Sequence, residues 1–133
     1  MATSVTVNKN TIPKDQLSDC LRINVRRADS LIIENQLTIP SFIKIDVEGY
    51  EYEVLKGFGE NDISDCIFLI EILTDDLAKK LNTIFLNTKY DFYNIDDKRK
   101  SNRKTEFLEK SDFYNYLIIP KETSLRYNFE LKL

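Results

Sequence analysis

The stretch from Phe42 to Gly57 sets the narrowest limits on what this chain can become. Lys44, Asp46 and Glu48 alternate there with Ile43, Ile45 and Val47. Successive side chains of a strand point to opposite faces, so the charged trio shares one side and the apolar trio the other. Burying three ionisable groups unpaired would cost on the order of several kcal/mol each. The trio is therefore expected where the strand leaves its sheet and meets a crevice or its own members. Gly49 breaks the strand as a structural turn residue, and Tyr50, Val54 and Leu55 follow at helical spacing with glutamates in the first turn. Tyr50 reads as a packing residue at the helix start, and Gly57 as the stop beyond the helix. A strand, a tight turn bearing carboxylates and a helix are the arrangement that places ligands at the carboxyl end of a strand in open α/β sheets.

The rest of the chain supplies the other elements of such a sheet. Thr3 to Asn8 and Leu21 to Arg27 alternate as half-exposed strands and are expected to form a hairpin-like flap. Ala28 to Asn35 reads as a short helix with Asp29 near its start, and Pro40 closes the connection to the strand at residue 42. Phe58 to Asp62 is a loop. Cys66 to Leu73 is apolar apart from Glu71, which predicts a central strand covered on both faces with its one charge near the carboxyl end. Thr74 caps a helix whose stripe is Leu77, Leu81, Ile84 and Phe85 and which runs to about Asn87. Tyr90 to Ile95 and Phe113 to Ile119 are strands, the second ended by Pro120. Strand, helix, strand, helix and two further strands predict an α/β fold, parallel strands finishing in an antiparallel hairpin. At 133 residues a single domain, 1–133, is expected.

Charge and residue usage exclude several chemistries. The chain contains no histidine, so it cannot assemble a Ser-His-Asp or Cys-His centre, an HExxH zinc site or an imidazole proton shuttle. Acid and base work falls to carboxylates, lysines and tyrosines. A net charge of −3 gives no global field for nucleic acid or anionic lipid. The basic run Lys98 to Lys104 lacks interleaved aromatics for base stacking and reads as a solvated, mobile loop. No apolar run is long enough to cross a bilayer, and Met1 to Lys14 does not read as a signal peptide, which makes the cytoplasm the default. Cys20 and Cys66 carry no metal-ligand spacing; Cys66 is expected to be a small buried residue. No metal is assigned.

Residues Ile43 to Gly57 resemble the "KIDVEGxExxVLxG" signature of the FkbM-type S-adenosylmethionine-dependent methyltransferases. The flanks are similar too. Val25 to Leu31 resembles the family's "LDDL" segment, Leu69 to Ile72 its next strand and Asn115 to Pro120 its closing strand, so the likeness runs from Thr3 to Pro120. It implies a partial Rossmann-like methyltransferase sheet with S-adenosylmethionine as cofactor and a small molecule or glycan as acceptor. Family members carry upstream a strand with a "D-x-G-A-N-x-G" turn that holds the cofactor. The three glycines here, Gly49, Gly57 and Gly59, form no such turn after a strand. By resemblance the chain corresponds to the carboxyl-terminal half of the fold, without the half that binds the cofactor, and no cofactor-binding residue is assigned. The strand holding Asp46 would then have an open edge, an expectation that points to self-association or to cover by the flap.

In this reading Asp46 and Glu48 are the catalytic candidates. They are suited to orient an acceptor hydroxyl, to bind it through a metal, or to take its proton. Lys44 and Glu71 support them, Lys44 by pairing with Asp46 or Glu71. Bland alternatives exist for each: a buried Lys44–Glu71 pair, and Glu48 as cap of the following helix. For the whole chain the alternative is a non-catalytic module that binds partners through an exposed sheet edge. Metal hydrolysis is the weakest reading, because carboxylates are few and histidine is absent.

Overall fold

A computed structural model describes residues 24–86, 89–97 and 104–126. One five-stranded sheet organises them. Its strands are β1 (Phe42–Ile45), β2 (Ile67–Glu71), β3 (Tyr90–Asn94), β4 (Lys104–Thr105) and β5 (Asn115–Pro120), in the order β1-β2-β5-β3-β4. The helices are α1 (Ala28–Glu34), α2 (Glu51–Lys56), α3 (Asp75–Phe85) and α4 (Lys121–Arg126). β1 and β2 are parallel, with Ile43 opposite Phe68 and Ile45 opposite Ile70. β5 runs antiparallel between β2 and β3, and β4 adds antiparallel to β3. The expected α/β sheet, parallel strands followed by an antiparallel hairpin, is the one observed.

Register explains the core. Ile43, Ile45, Phe68, Ile70, Tyr116, Ile118 and Phe92 share one face of the sheet and are buried against α2 and α3. On α3 the residues Leu77, Leu81 and Phe85 are buried, and Thr74 caps the helix by accepting a hydrogen bond from the Leu77 N–H at 3.1 Å. Phe68, Phe85 and Tyr90 form an edge-to-face cluster with ring centroids 5.4, 6.0 and 5.3 Å apart. The Tyr90 hydroxyl donates to the Ile63 or Ser64 carbonyl, at 3.0 and 2.7 Å. Cys66 is buried as expected, and its thiol bonds the Pro40 carbonyl.

The opposite face is unevenly covered. The Tyr93 hydroxyl bonds Ser124 of α4 in a buried contact. Ile67, Leu69 and Glu71 of β2 remain only half-buried. This corrects the expectation that Cys66 to Leu73 has no wet face. β2 is central in the sheet, yet the described helices α2 and α3 cover the face of Phe68 and Ile70. Among the described residues β1 pairs only with β2.

Other boundaries shift for local reasons. Residues 24–27, the described part of the Leu21 to Arg27 strand expected from alternation, form no strand; Arg27 instead sits at the N-cap of α1 and pairs with Asp29 at 2.5 Å. Gly57 ends α2 in a right-handed conformation, whereas Gly59, at φ +61°, takes the left-handed one, and a Cβ there would meet Asp29 Oδ2 at 2.5 Å. Lys104, read as part of a solvated loop, is instead in β4, with its ammonium 2.9 Å from the buried Asp91 carboxylate. The Thr3 to Asn8 strand, Cys20 and Lys98 to Arg103 lie outside the described residues.

Candidate functional site

The carboxyl ends of β1 and β2 are neighbours because the strands are parallel and in register, Ile45 beside Ile70. β1 stops at Ile45, so Asp46 is the first residue beyond it, and Glu71 is the last residue of β2. The chain then turns tightly, with Glu48 at φ +52° and Gly49 at φ +97°. A non-glycine residue seldom adopts positive φ, and two such residues in succession swing the chain from β1 into α2. The outcome is that Asp46, Glu48 and Glu71 each bring one carboxylate oxygen to within 4.8 Å of the others.

All three residues were expected at the site, and the structure places them together. Lys44 joins them through Asp46, at 2.9 Å, and its ammonium pKa is raised by that hydrogen bond and charge. The alternative of a buried Lys44–Glu71 pair is not what forms: both Lys44 and Asp46 are exposed. The Glu71 carboxyl is pushed above the usual carboxylate range, first by burial and then by the charges of Asp46, Glu48, Glu51 and Asp96. Asp96 is held beside β5 by the backbone and side-chain N–H groups of Asn115, at 3.0 and 2.7 Å, and Asn115 is the register partner of Glu71.

Glu48 does not cap α2. The N-cap is Tyr50, which makes no side-chain cap bond. The carboxylate that organises the turn is Glu51, whose role the sequence reading missed. It is fully buried, and its Oε1 accepts hydrogen bonds from the Val47 and Gly49 N–H groups at 3.2 Å each. Its Oε2 has no hydrogen-bond partner among the described residues. A signal was present: Glu51, Leu55 and Phe58 stand at i, i+4 and i+7, and all three are buried, so the glutamate occupies the apolar stripe of its helix. A charge on that stripe needs a polar partner, and the turn just before it supplies two N–H groups.

The rim formed by these carboxylates is open. Asp46 and Glu48 are exposed, and two cavities of the molecule lie elsewhere, one lined by Asn94, Asp97, Ser111 and Tyr116, the other by Leu86, Tyr90, Lys104 and Lys121. A nucleoside cofactor needs close backbone approach and an enclosing wall. Among the described residues the only glycine at this end is Gly49, beside open space rather than a cradle. The described residues do not by themselves fit the nucleoside of S-adenosylmethionine.

A model of the methyltransferase FkbM domain matches residues 1–92, more than half of the chain. No curated protein and no solved structure matches it. No described helix is long and apolar enough to cross a membrane.

Proposed function

The chain belongs to the methyltransferase FkbM family, and on that footing we propose that it serves transfer of a methyl group from S-adenosylmethionine to an acceptor oxygen, its own residues forming the acceptor side. The observation that carries this reading is the convergence of Asp46, Glu48 and Glu71 at the ends of two parallel strands. Open α/β sheets bind ligands in that place. Asp46, oriented by Lys44, accepts the hydrogen bond of an acceptor hydroxyl and aligns its oxygen. Glu48 has no ion pair among the described residues and is placed to take the proton of an acceptor hydroxyl, a contribution of about 10²–10⁴ in rate for a positioned base. Glu51 is a positioning residue that fixes the turn from below. The nucleoside end of the donor is left to groups other than the described ones, consistent with a chain that carries the carboxyl-terminal part of the fold. A small molecule or glycan with a free hydroxyl is the acceptor class.

Calorimetric titration of the full chain with S-adenosylmethionine tests the reading. Binding heat and a rise in melting temperature at millimolar donor are expected. Neither heat nor protection would overturn it and favour a second reading, a non-catalytic module that binds partners along the edge of β1 left unpaired among the described residues. Phe42, exposed on β1, and the exposed Leu37 and Ile39 in the segment that precedes it are the observation on its side.

A further inference from the structure

We propose that the cavity between β3, β5 and residues 105–113 is a binding site for a hydroxyl-rich ring of monosaccharide size. It encloses about 300 Å³, the lower end of the range of small-molecule sites. Its walls are built rather than incidental. Asn94 and Tyr116 stand opposite each other on β3 and β5, so both side chains leave the same face of the sheet. The outer wall is pinned at two places. Asn82 of α3 bonds the Leu108 carbonyl and N–H at 2.7 and 3.0 Å, and the Asn94 amide donates to the Phe113 carbonyl at 2.8 Å. Glu109, Lys110 and Asp112 lie between those anchors and line the cavity.

The observation that points to a ligand is Tyr116. The residue is 1% exposed, and its hydroxyl has no hydrogen-bond partner among the described residues. The one fully enclosed side-chain polar atom without a partner among them is Glu51 Oε2. The Tyr116 oxygen therefore opens onto space, and the space that this residue lines is the cavity. A buried hydroxyl without a partner costs free energy that a ligand with a matching group recovers. The rest of the lining narrows the chemistry. Asn94 is committed at both ends of its amide, to the Phe113 carbonyl and the Asp97 N–H. Asp97, Glu109 and Asp112 bring carboxylates, which only accept, against the one ammonium of Lys110. Acceptors outnumber donors, so the occupant is rich in O–H donors, and an anion is repelled. Phe113 and the Tyr116 ring add apolar surface for the C–H bonds of a sugar ring. The cavity also lies at the same end of the sheet as the carboxylate rim, because β5 is antiparallel to both β2 and β3. From β2 to β3 is two strand spacings, about 10 Å. A glycan seated by one ring in the cavity presents a later ring to that rim, and this role as acceptor, unlike the binding itself, rests on the function proposed above.

NMR titration of the isotope-labelled full chain with the methyl glycosides of glucose, galactose and mannose, without the methyl donor, tests the proposal. Saturable amide shifts at Asn94, Ser111 to Phe113 and Tyr116 are expected with at least one of them at millimolar concentration. Tyr116→Phe should weaken that binding about tenfold, the scale of one hydrogen bond lost in an enclosed site. It should leave the melting temperature of the free chain unchanged or higher, because the hydroxyl it removes bonds no described residue. Tyr114→Phe, which takes the same atom from an exposed neighbour, should leave binding unchanged. No saturable shift with any of the three would mean that the cavity holds water only and would overturn the site. So would a lower melting temperature in Tyr116→Phe, which would make its hydroxyl part of the fold. Tighter binding of ethylammonium than of every glycoside would overturn it too, by making the carboxylates a cation site. Glycoside binding without donor binding sinks the methyltransferase reading and leaves this site standing; donor binding without glycoside binding sinks this inference alone.

Discussion

The two ends of β2 show opposite uses of the same sheet. Around Phe68 the strand packs on Phe85 and Tyr90, and the Tyr90 hydroxyl is satisfied by backbone carbonyls even though it is buried. Three residues further on, Glu71 is half-buried beside two carboxylates, and its own carboxylate has no hydrogen bond or ion pair among the described residues. The first region removes apolar area from water and leaves no polar loss uncompensated, so it holds the fold together. The second keeps like charges together in a turn at positive φ, which the first must stabilise. Substitutions should therefore divide into those that unfold the chain and those that relax the site.

Phe68→Ala should have the largest effect, a loss of about 3–5 kcal/mol in urea unfolding, because it opens a cavity in the aromatic cluster. A loss under about 1 kcal/mol would show that the cluster is not the core. Glu51→Ala leaves the Val47 and Gly49 N–H groups without their acceptor and should cost about 1–3 kcal/mol. Its amide exchange should quicken at Val47 and Gly49 and stay slow in β2 and β5, which separates local from global opening. Gly49→Ala meets no atom within 4 Å, so its cost is conformational alone, about 1–2 kcal/mol.

Glu71→Gln should have the smallest effect and the opposite sign. Burial and neighbouring charges raise the Glu71 carboxyl above its unfolded value. The protonated form is thus favoured by folding: its contribution is full below the unfolded carboxylate value and is lost as pH rises through the folded one. At neutral pH the ionised group is a liability. The glutamine variant should be more stable there by less than ~1 kcal/mol, and the gap should close on acidification below the unfolded value. Melting temperatures measured without divalent cation at both pH values check this. A variant less stable at neutral pH would mean that Glu71 has a favourable partner.

The sheet was legible because its signals are regular: alternation in Ile43 to Val47, the apolar run of Ile67 to Ile70, and the α3 stripe after Thr74. The meeting of Asp46, Glu48 and Glu71 followed from each charge falling at the end of a strand in a parallel pair. Less legible was whatever depends on three-dimensional cover. Nothing in Cys66 to Leu73 says that the face of Ile67, Leu69 and Glu71 stays half-buried. The lysine alternatives for Asp46 and Glu71 are equal in sequence and differ only in reach. Glu51 was passed over because three glutamates in six residues, Glu48, Glu51 and Glu53, read alike as an acidic helix start, although only Glu51 falls on the buried stripe.

The measurement that goes straight to the central claim is an NMR titration of the isotope-labelled full chain with S-adenosylmethionine. Amide shifts concentrated at Asp46 to Gly49 and at Glu71 to Thr74 are the expected result. Shifts confined to the cavity beside Asn94 and Tyr116, or none at millimolar donor, would contradict a working site at the ends of β1 and β2.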